Sequence, residues 1–294
     1  MSIVSIEPGD ASPLARLTFP AWRHILTDPG ERNLVIAAAR SGAEDVGLAF
    51  AWITDDGEAE LVSIYVEPLH RSDDLLRGLL RHIEAVCRAQ GCHMMGHQPT
   101  IWEDDQALAA LLVGEGWSRP MVRQLVCSTT VTNARSTPWL MRAETPKGYG
   151  IIDWSDVSPV MRAELKSRAE EGRAFWPELL DPFRHEQELF HPTSVALVSE
   201  GCVRGWILCH IPGQDTVRWT VSWVDENLQG LGYIVPLWKA AVERQATRTN
   251  REAFMWSVPR ELPRMCRFVT RRMRPWLSRL GYAATMIKRL DQEA

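Results

Sequence analysis

Hydrophobic and polar positions divide the chain into short strands and longer helices, and the same order of elements occurs twice. Continuous or alternating apolar runs indicate strands, whereas apolar residues spaced by three and four indicate helices. In the first half these patterns predict a strand at Ile3–Ile6, a helix at Pro13–Leu26, and strands at Leu34–Ala38 and Val46–Ile53. In the second half they predict a strand at Gly150–Asp153, helices at Ser158–Arg173 and Pro177–Phe190, and strands at Ser194–Val198 and Val203–His210. The repeated order predicts two domains of similar architecture.

Each half then continues with a strand, a loop and an amphipathic helix. In the second half, the strand Trp219–Val224 is followed by a loop that contains Gly230 and Gly232. Such a loop suits an anion, because backbone N–H groups and the helix dipole point at one spot without Cβ atoms in the way. In the first half, Asp73 and Asp74 stand near the corresponding positions, and their charges would repel a phosphate. We therefore predict phosphate binding in the second half only.

Each half closes with a further strand, a helix and a last strand. The phrases Gly116-Trp117 and Gly281-Tyr282 indicate a glycine that ends a helix and an aromatic residue that begins the next strand. The segment between the two copies is rich in Ser, Thr, Pro and Gly and has no clear period. We predict one domain at residues 1–132, a linker at residues 133–147 and a second domain at residues 148–294.

Composition narrows the classes of partner and the cellular location. The formal net charge of -4 argues against a surface that is basic throughout, as in many nucleic-acid-binding proteins. The N-terminus has no basic start, and no apolar run approaches the roughly 20 residues of a membrane span. We therefore expect a soluble, cytoplasmic protein without a membrane partner.

The six cysteines have no framework spacing and are expected to be buried, reduced thiols. Cys87, Cys92, His93 and His97 lie close together in the sequence, but no Cys-x-x-Cys is present and the histidines fall in a predicted strand. We expect no metal site.

The order of elements and the glycine loop resemble the GNAT superfamily of acyl-CoA-dependent N-acyltransferases in a tandem form. The family signature is Gln/Arg-x-x-Gly-x-Gly/Ala between a strand and a helix. The segment Asn227–Gly232 keeps both glycines but begins with Asn, whereas Arg71–Leu76 keeps the Arg and lacks both glycines. The family phrase Val-x-Pro-x-x-Arg is intact at Val66–Arg71. The resemblance implies an α/β (α+β) fold of two tandem GNAT-like domains, each a mixed, mostly antiparallel sheet flanked by helices.

The resemblance also implies that acetyl-CoA or another acyl-CoA is the donor and that the second domain binds it. In the family, the pantetheine arm runs along the strand before the loop, and the pyrophosphate lies on the loop N–H groups. The positions that correspond here are Val221, Ser222, Trp223 and Val224 for pantetheine, and Gln229, Gly230, Leu231, Gly232 and Tyr233 for the phosphates.

Acyl transfer to an amine needs a group that accepts a proton, and an acid can help the thiolate to leave. The resemblance places the family's usual Tyr acid at Leu277, and at Leu112 in the first half, so this acid is absent from both. A thiol with a pKa of about 8.5 can leave unprotonated. For the base, Glu226 is the first choice, Ser257 would help to hold a water, and His210 is the alternative.

We expect transfer, most simply of acetyl, to the amine of a small metabolite. An alternative is that the acyl group comes from an acyl-carrier protein or an aminoacyl-tRNA, which a basic cluster of the chain could bind. We expect no nucleic-acid partner other than tRNA. A third reading is a non-catalytic acyl-CoA-binding module. The basic cluster consists of Arg264, Arg267, Arg271, Arg272 and Arg274 with Lys288 and Arg289.

Overall fold

A computed structural model describes residues 1–172, 176–213 and 215–291. The chain forms two compact units. Unit 1 consists of Met1–Leu125 together with Gly281–Ala294, and unit 2 is Val126–Leu280. The sequence-based boundaries place residues 281–294 with the second domain, whereas in the structure they group with unit 1.

The strands follow the predicted order, but the predicted helix at Pro13–Leu26 is wrong, because this segment forms 3₁₀ turns at Ser12–Leu17 and Pro20–Trp22 and a short α-helix at Arg23–Thr27. The strands among the described residues are β1 (Ser2–Ile6), β2 (Asn33–Ser41), β3 (Glu44–Ile53), β4 (Glu58–Val66), β5 (Met94–His97), β6 (Thr100–Trp102), β7 (Met121–Thr130), β8 (Gly150–Asp153), β9 (Val195–Ser199), β10 (Cys202–His210), β11 (Thr216–Val224), β12 (Ala253–Pro259) and β13 (Arg279–Arg289). The α-helices are α1 (Arg23–Thr27), α2 (Asp73–Ala89), α3 (Ala107–Gly114), α4 (Val131–Arg135), α5 (Pro138–Met141), α6 (Pro159–Glu170), α7 (Glu226–Gln229), α8 (Ile234–Arg248) and α9 (Pro263–Phe268).

Unit 1 is a sheet with the strand order β1-β2-β3-β4-β5-β13, and β6 also pairs with β13. The pairs are antiparallel except for β4 and β5, which run parallel. The amphipathic helix α2 covers one face and buries Leu79, Leu80 and Ile83. The turns of residues 8–27 cover the other face with residues such as Leu14 and Ile25.

Unit 2 repeats this plan with the strand order β8-β9-β10-β11-β12. The pairs are antiparallel except for β11 and β12, which run parallel. Helix α8 buries Leu237 and Ala241 against one face, and Trp206 and Leu165 lie in the core on the other. The predicted mixed, mostly antiparallel sheets are therefore confirmed.

The predicted helix at Pro177–Phe190 is wrong. The segment forms 3₁₀ turns at Glu178–Leu180 and Pro182–His185. Pro182 disfavours a helical conformation at the residue before it, and Asp181 is extended and caps the second turn by accepting from the Phe183 N–H at 2.9 Å. The predicted helix Ser158–Arg173 is observed as α6, while residue 173 lies outside the described residues.

The predicted linker at residues 133–147 contains α5 and part of α4, and both helices belong to unit 2. Leu140 is buried in the core beneath α8. The Lys239 ammonium of α8 donates to the carbonyls of Met141 at 2.8 Å and Ala143 at 3.0 Å. This segment is thus packed on unit 2.

Gly281 does not end a helix, contrary to the sequence interpretation. It lies inside β13, opposite Trp102 of β6. Gly116, in contrast, follows α3 with a φ of +87°, as expected for a glycine after a helix. Within the described residues, no helix is long and apolar enough to cross a membrane.

Candidate functional site

The parallel strands β11 and β12 of unit 2 pair over only part of their length. Residues Thr216–Trp219 pair with Ala253–Trp256, and the Trp219–Trp256 pair is the last one. Both strands continue, β11 to Val224 and β12 to Pro259. The strands therefore separate after this pair, and one edge of β11 faces the gap. An unpaired edge of this kind can bind an extended ligand through main-chain hydrogen bonds.

A β-bulge lies at the point of separation. Leu208 of β10 pairs with Val221, and the next residue, Cys209, pairs with Trp219. Thr220 is therefore passed over in the register on the β10 side, and it also lies beyond the last pair with β12. Bulges bend a strand and redirect a side chain.

The gap leads to a glycine loop and the N-terminus of α8. Gly232 has a φ of +77°, which favours glycine, while Gly230 has a φ of -71°. A Cβ atom on either glycine would meet nothing within 4 Å. Tyr233, the N-cap of α8, makes no capping hydrogen bond through its side chain, and the first turn of α8 has no acidic residue. This open helix end suits an anion such as the pyrophosphate of CoA.

Unit 1 has the same backbone plan but a closed helix end. The pairing of β4 with β5 ends at Leu61 and His97, where β5 itself ends, while β4 continues to Val66. At α2, however, the Ser72 hydroxyl accepts from the Leu75 N–H at 3.3 Å. Asp73 and Asp74 occupy the first turn. A side-chain cap and two carboxylates thus take the place that an anion would need.

The residues predicted for the donor follow β11 and the loop in order. Val221 and Val224 are buried, and the Ser222 hydroxyl accepts from the Trp238 indole at 3.0 Å. The Gln229 amide donates to the Val224 carbonyl at 3.1 Å and so ties the loop to the strand end. Trp223 is half-buried on β11.

Two further predicted residues lie in the loop itself. Leu231 is 65% exposed, and the Tyr233 ring packs edge-on against Tyr149 with 5.1 Å between ring centroids. Donor contacts of all nine residues stay a prediction.

The predicted catalytic residues fall at two ends of the gap. Ser257 lies one residue beyond the last strand pair, and His210 ends β10 beside the bulge. Glu226 is exposed at the start of α7, past the far end of β11. At about 3.3 Å per residue, the five steps from Trp219 to Val224 span about 16 Å. The geometry therefore separates Glu226 from Ser257 and His210, and the roles of all three stay predictions.

The His210 ring has a partner for each nitrogen. Nδ1 lies 2.7 Å from the Thr220 hydroxyl, and Nε2 lies 3.1 Å from the Gln187 carbonyl. A carbonyl only accepts, so Nε2 carries the proton, and Nδ1 of the neutral ring accepts from Thr220. Thr220 is not among the residues predicted from the sequence, because the bulge appears only in the strand register.

An aromatic cluster lies on the α8 face of β11 and β12. Trp219 stacks on Phe254 at 4.6 Å and on Trp256 at 5.8 Å between ring centroids. These rings line a cavity of about 30 Å³ together with Trp139 and Leu277. The indole nitrogens of Trp139 and Trp219 are buried and have no acceptor among the described residues. Most of the chain's 13 tryptophans lie in its second half, and this abundance is the feature of the sequence that indicates such a cluster.

Of the four residues Cys87, Cys92, His93 and His97, both cysteines and His97 are buried, whereas His93 is exposed. Burial raises the pKa of the Cys87 thiol to about 12, and burial lowers the pKa of the His97 imidazole to about 4. His97 Nδ1 lies 2.6 Å from the Leu61 carbonyl. No group of three or more potential ligands for a metal ion occurs within the part of the chain that the structure describes.

Comparison with known proteins identifies the fold. Residues 4–112 match the model of the acetyltransferase (GNAT) family. A tandem GNAT protein from the clavulanic acid biosynthesis pathway aligns with a TM-score of 0.61 and 15% identity over 100% of this chain and 99% of that chain. A GCN5-related N-acetyltransferase from Sphaerobacter thermophilus aligns with a TM-score of 0.57 and 16% identity, over 100% and 96%.

A search of curated proteins finds no match. The resemblance inferred from the sequence is confirmed: the chain has the fold of tandem GNAT proteins, and residues 4–112 carry the family match.

Proposed function

We propose that the protein is an acyl-CoA-dependent N-acyltransferase that transfers an acyl group, most simply acetyl, to the amine of a small metabolite. The family match supports this class of reaction. That match lies in unit 1, so it does not select the unit that binds the donor. We assign donor binding to unit 2 because the N-terminus of its helix α8 has no side-chain cap. In unit 1, helix α2 is capped by Ser72 and has two carboxylates in its first turn.

The residues of unit 2 suit the two ends of the donor. The open edge of β11 would pair with the pantetheine arm, and the loop N–H groups around Gly230 and Gly232 would face the pyrophosphate. The thioester would then lie where the strands separate, near Ser257. The amine attacks the thioester carbonyl, the C–S bond breaks, and CoA leaves as a thiolate. With Leu277 in place of the family's Tyr, the thiolate takes its proton from solvent.

The donor site can be tested by calorimetric titration with acetyl-CoA. Gly230→Asp adds a charge without backbone strain, because the φ of Gly230 is negative. We expect it to weaken binding about tenfold or more through repulsion of the phosphates. Gly230→Ala is the matched control for the added Cβ, and Asp74→Asn tests the other unit. Equal losses from Gly230→Asp and Asp74→Asn would contradict donor binding by unit 2 alone.

The base can be tested by thiol-release kinetics with a panel of amines. If Glu226 is the base, Glu226→Gln should lower kcat/KM by about 10²–10⁴. Part of the rate should return at higher pH, where more of the amine is neutral. The exposed Glu261→Gln is the control. Full activity of Glu226→Gln with intact binding would assign the proton to His210 or to water. Binding of acetyl-CoA without transfer to any amine would indicate the non-catalytic module.

A second candidate, transfer from a carrier-borne donor, rests on the arginines near α9. Arg264, Arg267, Arg271 and Arg272 are exposed and form no ion pair with any described residue. Such a surface suits the acidic side of an acyl-carrier protein or the backbone of an aminoacyl-tRNA. Lys288 and Arg289 differ, because they pair with Glu84 and Asp291 of unit 1. Faster transfer from either carrier than from acyl-CoA, lost on Arg271→Glu, would favour this candidate.

A further inference from the structure

We infer that the Thr220 hydroxyl is a catalytic proton relay between the attacking amine and His210. The inference rests on the proposed function and adds a residue to its chemistry. It assigns the acceptance of the proton to Thr220 and His210, at the point where the thioester is expected, and not to the distant Glu226.

Thr220 lies at the point where β11 and β12 separate. Thr220 is the bulged residue of β11 and has no register partner on β10 or β12. It follows directly after Trp219, the last residue paired with β12. Its side chain is half-buried, so it is neither sealed in the core nor free in solvent. A hydroxyl here lies beside the gap that the donor would enter.

The hydrogen bonds of Thr220 and His210 run in a defined direction. The Gln187 carbonyl fixes the proton of His210 on Nε2, which leaves the Nδ1 lone pair for the Thr220 hydroxyl at 2.7 Å. The hydroxyl proton therefore points to His210, and the hydroxyl oxygen keeps lone pairs for an incoming amine. The pair is ordered for transfer of a proton from the gap toward the imidazole.

The two units differ at the positions of Thr220 and His210. In unit 1 the register passes over Val62, because Phe50 pairs with Ser63 and Ala51 pairs with Leu61. Val62 is the counterpart of Thr220. The counterpart of His210 is Trp52, which pairs with Glu60 as His210 pairs with Arg218. Unit 2, in which the N-terminus of α8 has no side-chain cap, thus has both the hydroxyl and the imidazole. Unit 1 has neither group at the matching positions.

The proton balance of the step is simple. The amine nitrogen forms a bond to the thioester carbon and becomes positively charged. It gives a proton to Thr220 Oγ1, and Thr220 passes its own proton to His210 Nδ1. The imidazolium keeps its Nε2 proton on the Gln187 carbonyl. The C–S bond breaks, CoA leaves as a thiolate, and His210 later returns its proton to solvent.

The test compares Thr220→Val, Thr220→Ser, His210→Asn and the double variant Thr220→Val/His210→Asn in the full chain. We measure acetyl-CoA affinity by calorimetry and kcat by thiol release. Thr220→Val should lower kcat about 10²-fold or more while acetyl-CoA still binds, and Thr220→Ser should restore most of the rate. The double variant should lose little more than either single variant, because both interrupt one relay. Thr216→Val, on the same strand, is the matched control and should keep the wild-type rate.

The outcomes separate this inference from the proposed function. No thiol release by the wild-type protein with any amine would overturn both. An active wild-type protein with an equally active Thr220→Val would overturn the relay alone. A folded Thr220→Ser as slow as Thr220→Val, or fully additive losses in the double variant, would also overturn it.

Discussion

At the scale of single residues, the close approach of β6 and β13 requires a glycine at position 281. A Cβ atom at this position would lie 2.5 Å from the Ile101 carbonyl oxygen and 2.9 Å from the Trp102 ring. Contacts this short force β6 and β13 apart or distort the chain. The glycine is therefore needed for strand pairing within unit 1.

We predict that Gly281→Ala destabilises unit 1 by about 1–3 kcal/mol, the usual cost of overpacking. Urea unfolding measures this loss. Gly96→Ala on β5 is the matched control, because its Cβ would meet nothing within 4 Å. Equal stabilities of the two variants would show that β6 and β13 adjust without cost.

His97 predicts a dependence of stability on pH. Burial lowers the pKa of its imidazole from 6.5 to about 4, although the hydrogen bond with the Leu61 carbonyl opposes this shift. Below pH 6.5 the unfolded chain therefore takes up a proton that the folded chain does not bind until about pH 4. The contribution of His97 is fully present above pH 6.5 and is lost as the pH falls toward 4.

We expect this imidazole to reduce the free energy of unfolding by about 2 kcal/mol between pH 7 and pH 5. His97→Gln should remove that part of the pH dependence in urea unfolding, whereas the exposed His93→Gln should keep it. An unchanged pH dependence in His97→Gln would mean that the imidazole is protonated in the folded protein.

The sequence could predict residues whose role depends on neighbours along the chain. Gly230 and Gly232 were recognisable because a strand precedes them and an amphipathic helix follows. Thr220 was not, since its role depends on a register shift against β10 that no local pattern encodes. Gly281 was misread for the same reason: a glycine beside an aromatic residue follows a helix in one half and lies within a strand in the other.

At the scale of elements, an ion-pair cluster ties α6 to the end of β11. The Asp225 carboxylate accepts from Arg168 at 3.1 Å and from Arg204 at 3.3 Å. The Arg168 side chain is only 6% exposed, so Asp225 balances a buried charge. Asp225 thus anchors the strand end that carries the glycine loop.

We predict that Asp225→Ala lowers the free energy of unfolding by about 3 kcal/mol, because it leaves the Arg168 guanidinium buried with less compensation. Chemical denaturation with a fluorescence readout measures the loss. Asp156→Ala removes an exposed carboxylate of the same unit and serves as the control. A loss of well under 1 kcal/mol would mean that Glu164, also paired with Arg168, suffices alone.

The strands and the long helices of each unit could be predicted from the sequence. Each buries one face, and this burial imposes the apolar spacing that is typical of a strand or a helix. The segment of residues 177–190 could not be predicted in this way, because spacing suggested a helix while its prolines favour short turns.

At the scale of the whole molecule, unit 1 depends on the last strand of the chain. Strand β13 pairs with β5 and β6, and Ala284, Met286 and Leu290 are buried in the core of unit 1. The Lys288 ammonium also pairs with the buried Glu84 carboxylate at 2.6 Å. Unit 1 is therefore discontinuous in sequence.

We predict that removing residues 281–294 unfolds β5 and β6 although it deletes nothing from residues 1–125. Hydrogen exchange should show loss of amide protection in these two strands. Arg289→Ala, an exposed change on the same strand, should leave protection unchanged. Intact protection after the truncation would show that unit 1 closes its sheet without β13.

This discontinuity reverses the order of events during translation. The ribosome makes most of unit 1 first, yet β5 waits for its partner until all of unit 2 has been synthesised. At about 5–20 residues per second, the wait is on the order of 10 s. During that time the open edge of β5 can pair with other nascent chains, which is the usual hazard of an exposed strand. Unit 2 is therefore the first unit whose residues have all been synthesised, although it begins after most of unit 1.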